Sequence, residues 1–288
     1  MLEIYAHLKN SIGALESSLK TAIGNADNFN TPGYKYITTS FTTVYSSVLR
    51  TATSTRNPVQ LGASMTVGST STDFSQGNLT LGAPLDAAIV GEGFFIVSKS
   101  PYEFSSGSPK AYERGGRFVV DYQNKFLTDT FGRKIFGYKV SPDGTADTSQ
   151  LVPIETDGST DVGFIDGGML VTNYAARKAA IDRGESGVPD SKPIYQLALT
   201  SFRNKQGLVL GDGGSYVATI AAGQELPYSV SGEGGYGSIR GATLEASNID
   251  VARVALDMNQ LNRGFAAVQG VVDDVNRIIQ NLQQALSS

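Results

Sequence analysis

The chain contains no cysteine and only one histidine, His7, in 288 residues. Without cysteine there is no disulfide, no thiolate metal site and no cysteine nucleophile, although a disulfide-free chain is viable on either side of a membrane. His7 falls inside a helical apolar pattern and reads as a helix-surface residue. No D-x-[DN]-x-[DN]-G run supplies a calcium loop, so no metal is expected. Charge is also scarce: 17% of residues are charged, the net charge is −4, and no basic stretch stands ready to neutralise phosphates. A nucleic-acid partner is therefore not expected. No apolar run approaches the roughly 20 residues that span a bilayer. The N-terminal segment, with Glu3 and Lys9 inside it, lacks the basic and apolar regions of a secretory signal, so export by that route is not expected.

What is present differs between the ends and the middle. Leu8, Ile12, Leu15, Leu19, Ala22, Ala26 and Phe29 recur at steps of four and three along an otherwise polar segment, which predicts a helix of about 27 residues, roughly 40 Å long. "NADNFNTPGYK" at 25 to 35 ends it: Asn28, Asn30 and Thr31 offer competing side-chain hydrogen bonds, Pro32 withholds a donor and Gly33 permits positive φ. At the other end Val251, Val254, Met258, Leu261, Phe265, Val268, Val272, Val275, Ile279, Leu282 and Leu286 repeat the pattern for five heptads. Ser247 followed by Asp250 resembles a capping box at its start. Either stripe alone reads as an ordinary core helix. Two 3.5-residue seams at opposite ends of one chain predict that the termini pack together as a coiled coil.

Between them lie short apolar runs broken by glycine at 87 to 98, 116 to 140 and 193 to 204, which read as strands. "SPDG" at 141 to 144 and "NKQG" at 204 to 207 read as turns. The expected class is α+β: paired N- and C-terminal heptad helices and a β-rich middle. In order, the segments are an N-terminal helix (1 to 35), an extended connector rich in Ser and Thr (36 to 72), a β-rich body (73 to 240) and a C-terminal helical segment (241 to 288).

Little in this pattern suggests catalysis. Asp273 and Asp274 are adjacent on a helix and do not converge. "GEGGYG" at 232 to 237 matches G-x-G-x-x-G by letter, but no βαβ unit surrounds it, so it reads as a turn and not as a dinucleotide site. No catalytic residue, cofactor or small-molecule substrate is expected.

"NADNFNTPGYK" resembles the signature that closes the N-terminal helix in bacterial flagellar rod and hook axial proteins, with Asn28, Thr31 and Gly33 in matching places and Asp27 where that signature prefers Asn. "FSQGNLTLGAPLDAAIVGEGFFIV" at 74 to 97 is similar to a second family segment through Gln76, Gly77, Pro84, Leu85, Asp86, Gly91, Gly93, Phe94 and Phe95. "YERGGRFVVDYQNKFLTDTFGRKIFGY" at 112 to 138, "LALTSFRNKQGL" at 197 to 208 and "GATLEASNIDVA" at 241 to 252 complete the set, the last with Leu244, Glu245, Ser247 and Asn248. The resemblance implies a structural subunit without enzymatic activity, exported unfolded by the flagellar type III apparatus and polymerising with copies of itself into a tubular shaft of the basal body. Other axial proteins above and below would be its partners, and the terminal seams its assembly surface. Chain length favours a rod subunit. A short hook subunit, or a secreted β-rich adhesin, is the competing reading.

Overall fold

The computed structural model describes residues 2–43, 46–50, 54, 56–57, 59–62, 64–99, 109–121, 123, 125–141, 143–156, 159–185 and 191–287. The described residues form helices at both ends and a multi-stranded sheet between them, an α+β arrangement. They fall into two compact units. One comprises Met1–Phe29, Tyr36–Asp73 and Ile249–Ser288, the other Asn30–Lys35 and Phe74–Asn248.

In the first unit, helix α1 (Leu2–Asp27) packs against the C-terminal helix (Val251–Ser287). Leu15, Ala22 and Leu261 are buried at the contact, with Leu19, Met258, Phe265 and Val268 packed around them. α1 stops where the asparagines begin, and the Asn28 side-chain amide donates to the Gly24 carbonyl at 2.9 Å. The C-terminal helix starts later than the Ser247 signal suggests. Asp250 caps it, its carboxylate accepting from the Ala252 N–H at 2.9 Å, so the helix begins at Val251. Ser247 lies in the loop ahead of the first turn.

The stretch 36 to 72, expected to be an extended connector, is instead largely strand. Ile37–Thr43 pairs antiparallel with Met65–Thr72, with a bulge between Ser40 and Phe41, and Ser46–Arg50 pairs with Val59–Gly62. The ladder is anchored at its base by Asn25, whose side chain donates to the Ile37 carbonyl at 2.8 Å and accepts from the Ile37 N–H at 3.0 Å. Most of the outer strand is exposed on both faces, so its sequence shows no alternation to betray it.

The second unit is built on a twelve-stranded sheet whose described pairings are antiparallel. Its main path runs Val162–Ile165, Met169–Thr172, Pro193–Leu197, Lys134–Lys139, Phe94–Ser98, Lys110–Glu113, Tyr216–Ala218, Leu208–Leu210. Successive residues of a strand face opposite ways, and the adjacent Phe94 and Phe95 show the result. Phe95 joins Ile89, Phe118, Leu127, Ile135, Phe164 and Leu197 in the main core. Phe94 joins Tyr112, Phe202, Leu208 and Tyr216 in a second. A short helix, α2 (Tyr174–Asp182), lies against the Val162–Ile165 strand through Tyr174. The C-terminal helix is α3. The 141 to 144 turn closes with the Gly144 N–H donating to the Ser141 carbonyl at 2.8 Å; Pro142 lies outside the described residues. "GEGGYG" is a loop with Gly232, Gly234 and Gly235 at positive φ, and it leads into the strand Ser238–Gly241 and not into a helix.

Candidate functional site

The family-signature segments converge on one buried carboxylate. Glu245 ends a short strand, Thr243–Glu245, paired with Leu79–Leu81. The Lys35 ammonium donates to Glu245 Oε1 at 2.5 Å and to the Ser75 carbonyl at 2.7 Å. Arg114 donates from Nε to Glu245 Oε2 at 3.0 Å, and its Nη2 lies 2.9 Å from the same oxygen. The Gly77 N–H completes the shell, donating to Oε1 at 2.9 Å. Arg114 Nη1 reaches onward to the carbonyls of Gly91 and Gly93, at 2.8 and 3.0 Å. Five separate stretches of chain, around residues 33–35, 75–77, 91–93, 114 and 245–248, are thereby joined by charge-assisted bonds in a dry interior.

Glycines make the approach possible. Gly33 has φ +70°, donates its N–H to the Glu245 carbonyl at 2.8 Å, and a Cβ there would lie 2.3 Å from the Gly115 nitrogen. A Cβ on Gly77 would lie 1.9 Å from the Ala246 carbonyl oxygen. No side chain fits at either position.

The remaining signature residues pin the surrounding loops. Gln76 donates to the Ile89 carbonyl at 2.9 Å and accepts from the Gly91 N–H at 3.0 Å. The Pro84 carbonyl accepts from the Phe164 N–H at 2.7 Å. Leu85 packs on the main core and Leu244 is buried. Asp86 accepts from the Ala83 N–H at 2.7 Å. Its burial raises its pKa, while the Ala83 bond and Arg117 pull it back. Asn248 donates to the Ser75 carbonyl and hydroxyl, each at 3.1 Å. Thr31 and Ser247 sit in the loops beside these segments.

A second set of residues belongs to the helices. Of the α1 stripe, Leu15 is buried, Leu8, Ile12 and Leu19 are half-buried, and Phe29, beyond the helix end, is exposed. Of the α3 stripe, Leu261 is buried, and Met258, Phe265, Val268, Val272, Val275 and Ile279 are half-buried. Val251 and Leu282 are exposed, as are Val271, Ile278 and Leu286. Gly264 faces Leu15, where a Cβ would stand 3.0 Å from a Leu15 methyl, so its smallness brings the helices together. The Tyr36 hydroxyl donates to Asp257 on α3, and the Arg253 guanidinium stands 4.1 Å from the centre of the Tyr36 ring. Desolvation first, then that carboxylate, pushes the Tyr36 pKa up to about 12.

Sequence reasoning missed Asn25, Lys35, Tyr36, Arg114 and Asp257 as structural anchors. Lys35 and Glu245 are 210 positions apart, a separation no local period can register. Lys35 and Arg114 do stand inside the signature segments, and a lysine and an arginine among glycines and aromatics were the available sign of a buried carboxylate. Among the described residues no three His, Asp or Glu side chains gather as a metal site.

No family model matches the chain. Curated proteins do. The flagellar basal-body rod protein FlgG of Caulobacter vibrioides is 25% identical over 288 aligned residues, covering 96% of this chain and 97% of that protein. FlgG of Bacillus subtilis is 25% identical over 93% of this chain and 92% of its own length. The flagellar hook protein FlgE of Helicobacter pylori strain J99 is 27% identical over 78% of this chain, but over only 32% of the hook protein. The chain is thus similar to the flagellar basal-body rod and hook proteins, and its similarity to these two rod proteins spans more than nine-tenths of each chain.

Proposed function

We propose that the chain is a structural subunit of the bacterial flagellar axis, a rod protein that polymerises helically with copies of itself into a tubular, torque-transmitting shaft. The observation that carries this reading, beside the end-to-end likeness to rod proteins, is the apolar face of α3. Val271, Ile278, Leu282 and Leu286 are exposed; Leu282 and Leu286 continue the stripe that α1 covers nearer the helix start, and Val271 and Ile278 flank it. An apolar stripe of that length is stable in water when another copy covers it. The terminal helices then form an inner layer in coiled-coil fashion, with Leu8, Ile12, Leu15 and Leu19 on one seam and Met258 through Leu282 on the other.

In this reading the subunit resides in the periplasm-spanning part of the basal body, reaches it through the flagellar type III export apparatus, and meets other axial proteins above and below. It has no enzymatic activity and no cofactor, nucleic acid or small-molecule ligand. The similarity to hook proteins favours, as a second reading, a short hook-type subunit. Electron microscopy of the purified protein decides: straight tubes are expected of a rod, curved ones of a hook, and a protein that never forms filaments is neither.

A further inference from the structure

The main strand path of the sheet in the second unit ends in two edges of different character. At one end of the strand order, Leu208–Leu210 is paired only to Tyr216–Ala218 among the described strands. Val209 stands opposite Val217 in that ladder, and both are exposed, Val209 to 56%. Phe131, also exposed, lies over the hairpin tip, so close that a Cβ on Gly213 would be 2.0 Å from its ring. Asp212 is exposed at the same tip. Sheet edges are ordinarily blunted by charged residues, proline or a covering element. This edge presents valines and a phenylalanine.

At the other end, the strand Val162–Ile165 and helix α2 border a groove of about 500 Å³. Leu81, 88% exposed, and Ile181 form its apolar walls, and Arg177 and Lys178 line it. Arg177 Nε is buried and finds no acceptor among the described residues. The one acid in the lining, Asp166, accepts from the Gly241 N–H at 3.3 Å. The groove is apolar and net basic, whereas the hairpin tip offers the Asp212 carboxylate beside its apolar residues, with Arg133, 5.5 Å from the centre of the Phe131 ring, already paired with Asp129.

Contact between identical patches closes as a dimer, whereas contact between two different patches repeats from copy to copy and builds an open helix where the rotation does not close a ring. We infer that the hairpin edge of one copy, Val209, Val217 and Phe131 with Asp212, seats in the α2 groove of the next copy, where Leu81 and Ile181 meet the apolar residues and Arg177 or Lys178 meets Asp212. The inference rests on the polymer reading above and names the surface that the sheet unit contributes to it.

The natural absence of cysteine makes the test clean. Full-length Val209→Cys and Ile181→Cys subunits are mixed, allowed to assemble, examined by microscopy and oxidised. Disulfide-linked dimers are expected only when both variants are present. Filaments without that cross-link, or cross-linking of Val209→Cys to itself, overturn the hairpin-to-groove contact and leave the polymer reading standing. Failure of the unsubstituted protein to form filaments overturns both. Val209→Lys, at an exposed position, keeps the melting temperature of the free subunit and raises the concentration needed for assembly at least tenfold; unchanged assembly also overturns the contact.

Discussion

Lys35 Nζ and Glu245 Oε1 lie 2.5 Å apart with both side chains wholly excluded from solvent, although 210 positions separate them in the chain. Burial deprives each charge of water, and each therefore depends on the other, with Arg114 sharing the load. Removing one member of such a group leaves uncompensated charge in a low dielectric.

Glu245→Gln therefore leaves Lys35 and Arg114 facing each other without a counter-charge, and it destabilises the sheet unit by roughly 3–5 kcal/mol. Urea melts of the two proteins measure the difference. A loss below about 1 kcal/mol, the scale of a solvated pair, would show that Glu245 does not hold the segments together.

Stability of the sheet unit also depends on pH through Glu113, buried beside Asp129 and Arg133. Desolvation, with the Asp129 charge adding to it, pushes the Glu113 pKa from 4.5 up to about 8, and Arg133 opposes the shift. The folded protein holds a proton that the unfolded chain releases, so this contribution is complete below about pH 4.5 and is lost as pH rises toward about 8. The melting temperature is expected to fall across that window. Glu113→Gln should flatten the fall, though not abolish it, because Asp86 is shifted in the same direction. An identical slope in the variant would refute the assignment.

Three glycines separate close approach from mere flexibility. Gly77→Ala drives a methyl into the Ala246 carbonyl and is expected to unfold or strongly destabilise the sheet unit. Gly264→Ala meets a Leu15 methyl at 3.0 Å, a far end that can turn aside, so its cost is small. Gly270→Ala, in α3 with nothing within 4 Å, stabilises the helix by about 1 kcal/mol. Thermal melts should rank the variants in this order, and tolerance of Gly77→Ala would contradict the packing.

A fragment spanning 30 to 248 retains Lys35, Arg114 and Glu245 and is expected to melt cooperatively. One trimmed to 73 to 240, the boundaries the sequence suggests, loses Lys35, Glu245 and the strand Thr243–Glu245. Calorimetry of the two should show a lower and broader transition for the shorter one. Equal transitions would mean that the carboxylate is dispensable.

Leu282 is 53% exposed, so Leu282→Asp leaves the free subunit as stable as before, within about 0.5 kcal/mol. In a polymer that covers this face, every copy would bury an unpaired charge, and filaments should disappear. Circular dichroism checks the fold and microscopy the filaments; normal filaments would remove this part of α3 from the assembly surface.

The sequence made the long elements visible because their residues repeat. Stripes through Leu15 and Leu261 announce helices, and Ala87 to Ser98 reads as strand because both faces are buried. α2 escaped notice because nine residues carry too little of a stripe, with Ala180 its single buried position. The Ile37–Thr43 ladder escaped because exposed Thr and Ser leave no alternation. The charge cluster was hidden for a different reason: Lys35, Arg114 and Glu245 are drawn from distant segments, and only the folded sheet brings them into contact.

The position of Glu245, 210 residues after Lys35 and 131 after Arg114, also sets an order of events. A polypeptide delivered N-terminus first presents Lys35 and Arg114 early, and for more than a hundred residues after Arg114 has appeared neither cation has its carboxylate. Closing the sheet over them in that interval would strand two positive charges in an apolar interior, so the nascent unit stays loose. The strand Thr243–Glu245 brings the counter-charge, and the latch shuts only when that strand arrives.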